Sequence, residues 1–147
     1  MRRFHTIPLL MLGVLAVPGC EIGPQSGTGL RLPAGDVVAG ERAFRELGCG
    51  DCHVVAGEGS WKETADGHTV VVLGGKVPHI ESHGELITSI VNPSHGLTRR
   101  YPRKDVSDGD ESRMKPINET MTVAQLIDLT AFLQSKYELE LNEIYGP

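Results

Sequence analysis

The residues Cys49-Gly50-Asp51-Cys52-His53 place two thiols three positions apart, with a histidine directly after the second. That spacing is the signature for covalent attachment of a c-type haem. Each thiol adds to one vinyl group of the porphyrin, and the histidine then lies under the iron as its proximal ligand. A structural zinc site would need a further pair of cysteine or histidine ligands, and the only other cysteine is Cys20. A redox Cys-x-x-Cys would open a helix within a βαβ pattern, whereas the residues before Cys49 read as the end of one. The motif predicts one covalent haem c, with Cys49 and Cys52 as thioether anchors and His53 on the metal.

Working outward from the motif, Asp36 is a suitable N-cap on the N-terminal side. Val37, Gly40, Phe44 and Leu47 then recur at spacings of three and four, one face of a helix that runs to about Leu47. Gly48 suits its C-terminal stop. A glycine inside a helix costs about 1 kcal/mol against alanine, so Gly40 predicts close approach of another backbone. Residues 21–33 are rich in glycine, proline and small polar side chains and read as a flexible tether with a reach of about 20 Å.

The first residues have the pattern of an export signal: Met1-Arg2-Arg3, then an apolar run from Ile7 to Val17, then Val17-Pro18-Gly19-Cys20. The run is too short to span a bilayer as a mature helix. A small residue before a cysteine at this place resembles the lipobox of bacterial lipoproteins, although Pro18 departs from the usual residue; an ordinary secretory signal cut nearby is the other reading. The lipobox resemblance implies a signal peptide over 1–19, a lipid on Cys20, and a lipid-anchored tether over 20–33. Cysteine use then closes without remainder, and no pair is left for a disulfide. The formal net charge of −5 becomes −7 once Arg2 and Arg3 leave with the signal. That balance argues against nucleic acid and against electrostatic adhesion to anionic lipid.

Beyond the motif, Thr69-Val70-Val71-Val72-Leu73, Gly74-Gly75 and Lys76-Val77 read as a short β-hairpin at about 69–77. Trp61 reads as a core aromatic or as a cover for the porphyrin edge. Gly84 to Val91 supports a short helix with Leu86, Ile87, Ile90 and Val91 inward, ended by Asn92-Pro93. Residues 92–120 read as a long polar loop, which in a small domain calls for a function. Thr122 with Gln125 makes a capping box. Behind it Leu126, Leu129, Thr130, Leu133 and Tyr137 form a helical stripe to about Glu138.

Together these pieces resemble a single-domain class I cytochrome c over roughly residues 34–138, within a domain taken as 34–147. The resemblance implies a mainly α fold, a small helical domain wrapped around one covalent haem. Its first and last helices would cross with Gly40 and Phe44 against Leu129, Phe132 and Leu133. It also implies a distal methionine from the loop before the last helix. Met114 has that place, reading Met-Lys-Pro where the family usually has Met-Pro. Met121 is the rival, abutting the cap Thr122 and more simply a packing residue. His68, His79, His83 and His95 are candidates of another kind, since bis-histidine haems exist. The family's proline carbonyl for the proximal imidazole has no clean counterpart; Pro78 occupies roughly that region. Arg99, Arg100, Arg103 and Lys104 read as a solvated loop balanced by nearby acids.

A haem with both axial positions filled has nowhere to bind substrate. The expected function is therefore electron transfer rather than enzymatic turnover: an anchored carrier between periplasmic or membrane redox partners. The lipid would enter a bacterial membrane facing the periplasm, and Glu21 after Cys20 leans toward the outer membrane. Two other readings stand beside it: a fixed haem subunit of a multisubunit oxidoreductase, and a haem enzyme or sensor with an open sixth site.

Overall fold

The computed structural model describes residues 31–57 and 70–140. The signal segment, Cys20, most of the tether, Trp61 and His68 lie outside these residues. Asp36 opens helix α1 (Val37–Glu46), its carboxylate accepting the Ala39 N–H at 2.8 Å. The Asp36 N–H donates in turn to the carboxylate of Asp128 at 2.8 Å, so the cap also ties α1 to helix α4 (Val123–Gln134). Where these helices meet, a Cβ built on Gly40 would stand 2.0 Å from the Asp128 carbonyl oxygen and 2.6 Å from Phe132 Cβ. Only glycine allows that approach. Phe44, one turn further along α1, meets Phe132 with ring centroids 5.8 Å apart and planes tilted by 57°, a favourable aromatic geometry.

The core grows around this crossing and comprises Phe44, Val55, Leu86, Ile90, Leu129, Phe132 and Leu133. Helix α2 (His83–Val91) contributes Leu86, Ile87 and Ile90 as buried residues. A capping box of Ser82 and Glu85 starts it, and Asn92, ahead of Pro93, ends it. The corresponding box of Thr122 and Gln125 starts α4. Buried Thr130 satisfies its hydroxyl by donating to the Leu126 carbonyl at 2.7 Å.

Three expectations need correction. The first is the hairpin. Strands β2 (Val71–Leu73) and β3 (Gly75–Val77) form, but they do not pair with each other. Strand β2 lies parallel to β1 (His53–Val55), and β3 lies parallel to the last strand, Tyr137–Leu139. Gly74 alone separates them, too short a link for an antiparallel ladder. Their backbone groups are taken elsewhere: the Ala56 N–H donates to the Leu73 carbonyl and the Gly75 N–H to the Lys136 carbonyl, both at 2.8 Å. Gly74 and Gly75 have φ of 83° and 79°, which suits glycine alone.

The second correction is the end of α4. The helix stops at Gln134 rather than near Glu138, because residues after the cap Ser135 leave to pair with β3. The third concerns residues 92–120, which are not a structureless loop. They contain a helical turn α3 (Arg103–Val106), then β4 (Ser107–Asp108) and β5 (Glu111–Ser112), antiparallel about Gly109 at φ 59°. The pairing of Tyr137–Leu139 makes that segment β6. Polar side chains hold the region together. Ser94 donates to Glu111 at 2.7 Å and accepts the Ser112 N–H at 3.0 Å, while Asn118 donates to the Val91 carbonyl at 2.7 Å.

Candidate haem-attachment site

The end of α1 sets the motif. Leu47 caps the helix, and Gly48 turns the chain with φ 71° and ψ 20°. A single 3-10 turn then covers Cys49–Asp51, with the Cys52 N–H donating to the Cys49 carbonyl at 3.3 Å. Cys49 opens the turn and Cys52 caps it. Neither cysteine is in a disulfide. Cys49 is half-buried against the core and Cys52 is exposed.

Burial pushes the Cys49 thiol up from its ordinary value; its own backbone opposes this, and the charge of Asp51 adds to it. A dithiol activated for redox exchange has a lowered thiol pKa at a helix N-terminus. Here the pair follows a helix C-terminus and the shift is upward. No three His, Cys, Asp or Glu side chains converge as a metal cluster among the described residues.

His53 begins β1, in register with Val71. Burial lowers its imidazole pKa, with the Val71 backbone opposing, a shift toward the neutral form that binds a metal. Its Nδ1 is buried without a hydrogen-bond partner. An unsatisfied buried polar atom costs about 1–3 kcal/mol, so this nitrogen has an unmet need. Two cysteines outside any disulfide at the ends of one turn, with an imidazole directly after, fit the donor set of a c-type haem. Among the described residues nothing partners that nitrogen, and Pro78 is exposed.

The distal candidates separate. Met114 is half-buried just after β5, with its N–H donating to the Ser112 hydroxyl at 3.2 Å. It stands outside the apolar side chains packed on the core. Met121 is within that group, together with Cys49, Leu47, Leu73, Val91, Ile117 and Leu126. Among the histidines, His79, His83 and His95 are exposed. Arg103 is held by Asp110 at 2.9 Å and by the Gly109 carbonyl at 3.2 Å, which accords with a loop whose charges balance locally. The hydroxyl of Tyr101, accepting the Val72 N–H at 2.9 Å, had no counterpart in the sequence reading. A tyrosine before a proline carries no signal of its distant partner.

Comparison with known protein families, with curated proteins and with solved structures finds no match to this chain.

Proposed function

We propose that this chain is a haem c electron-transfer protein, an anchored carrier that passes single electrons between redox partners. The observation that carries the reading is the turn itself: two cysteines outside any disulfide at either end of one 3-10 turn, followed by a half-buried histidine with a buried, unpartnered ring nitrogen. Cys49 and Cys52 would each add S–H across a porphyrin vinyl group, sulfur to one carbon and the proton to the other, so no oxidant is consumed. His53 would supply the proximal nitrogen. Met114 is the proposed distal donor, from its place before α4. Met121 is the second reading, because it borders the same core as Cys49.

When bound, the haem supplies reversible one-electron exchange between ferric and ferrous iron. A weakly donating sulfur opposite the histidine favours the ferrous form. The chain's part is to hold the ligands and keep water from them. Lipidation at Cys20 would keep the domain on the periplasmic side of a bacterial membrane, within tether length of its partners.

The test is direct. Denatured protein should keep its haem through acidified-acetone extraction and give a pyridine haemochrome of the two-thioether type. The Cys49→Ala/Cys52→Ala double variant should lose it. Haem that extracts from the wild-type protein refutes the reading.

A further inference from the structure

Strand β2 is the only strand that pairs with the one bearing His53 among the described residues. In a parallel ladder, alternate residues of a strand bond to the same neighbour. Val71 does so: its N–H donates to the Cys52 carbonyl at 3.0 Å, and two residues on, Leu73 accepts from Ala56 at 2.8 Å. The intervening Val72 N–H faces the other edge, where a two-stranded sheet has no third strand. The half-buried Tyr101 hydroxyl occupies that place and accepts the Val72 N–H at 2.9 Å. Strand β2 is thus bonded on both edges, to Cys52 and Ala56 on one and to Tyr101 on the other. Tyr101 precedes Pro102, the residue that starts α3, so its backbone is restricted to extended conformations.

We propose that Tyr101 is a positioning residue for His53. Its hydroxyl fixes β2, and β2 braces the Cys52–His53 backbone and with it the plane of the imidazole. The inference rests on the reading that His53 ligates a haem held by Cys49 and Cys52. The Tyr101 hydroxyl bonds to Val72 rather than to the motif; it acts through the strand between them.

The full-length protein and its Tyr101→Phe variant, which keeps the ring and loses the hydroxyl, decide the matter. Covalent haem content should be equal in the two. Amide exchange at Val71 and Val72 should rise about fivefold to tenfold, the worth of one net hydrogen bond, while Leu129 in α4 stays within about twofold. The hyperfine-shifted haem-methyl resonances of the oxidised protein, which report the imidazole plane, should change their pattern. A Tyr101→Leu variant should match Tyr101→Phe in that pattern. A wild-type pattern in Tyr101→Phe, or a change confined to Tyr101→Leu, overturns the proposal, the latter by assigning the effect to the ring. Wild-type protein without covalent haem fails the functional reading instead, and the positioning claim falls with it.

Discussion

The α1–α4 crossing and the turn from Gly48 to His53 share helix α1 and are opposites in construction. At the crossing every position is filled by the chain's own atoms. Gly40 has no room for a methyl group, Phe132 is 1% exposed and Leu129 is 2% exposed. At the turn, a Cβ on Gly50 would meet nothing nearer than Phe44 at 3.8 Å, Cys52 is exposed, and the His53 Nδ1 is unpaired. The tight packing lies at the crossing, and the proposed chemistry at the looser turn beside it, where Cys49 borders the same core. The crossing holds the fold, and the turn keeps its donors unspent.

That division makes graded predictions. Phe132→Ala should cost about 3–5 kcal/mol in urea unfolding, because it removes a fully buried ring and leaves a cavity. A small loss would mean the crossing is not the main support. Gly40→Ala should cost about 3 kcal/mol, since the added carbon runs into the Asp128 backbone rather than a movable side chain. The two methionines should then part company. Met121→Ala should cost about 1–3 kcal/mol through lost core contact. Met114→Ala should cost less but abolish the weak long-wavelength band of sulfur-ligated ferric haem, open the iron to CO and lower the potential. If the band survives in Met114→Ala and vanishes in Met121→Ala, the distal donor is Met121, and one residue serves both patches.

The smallest effects belong to the start of α2, where the Glu81 carbonyl accepts from Gln134 at the end of α4 at 2.9 Å. Ser82→Ala should cost about 1 kcal/mol by uncapping α2. The Ser82 backbone N–H and then its hydroxyl hold the Glu85 carboxyl below its ordinary 4.5. A carboxylate whose folded pKa is lowered stabilises the fold above the unfolded value, and that contribution fades as pH falls through the lower folded value. Acid titration of stability below pH 4.5 should accordingly be shallower in Glu85→Ala than in the wild-type protein. An identical slope would show that the capping carboxylate is not coupled to folding.

What the sequence displayed plainly was local. Asp36 and Thr122 announce helix starts because a cap bonds its own first turn, and Cys49, Cys52 and His53 stand out through their spacing; the equivalent cap Ser82 emerges from the structure. Gly40 hinted at a contact with a residue far along the chain, since a helix rarely carries glycine without cause. The parallel pairings of β1 with β2 and of β3 with β6 were not legible, because a three-residue strand carries no mark of a distant partner. The early stop of α4 was hidden for the same reason: Tyr137 fits the helical stripe, and only β3 draws it away. The distal donor stayed ambiguous because its segment is set by polar contacts, Ser94 with Glu111 and Asn118 with Val91, that leave no periodic trace.

The bond from the Asp36 N–H to the Asp128 carboxylate spans 92 positions, and this bears on the order of events in folding. Closing so long a loop costs about 4 kcal/mol beyond a constant, repaid only when α4 is present to pack on α1. A chain emerging from its N-terminus cannot form the core until residues near 128 have arrived, although the motif at 49–53 came out long before. During that interval both thiols and the imidazole are open on an unfolded chain. Of the two thiols, Cys49 is the one that becomes half-buried against the core once α4 packs, so the proposed haem attachment would find it most open in that interval, and delaying α4 should lengthen it.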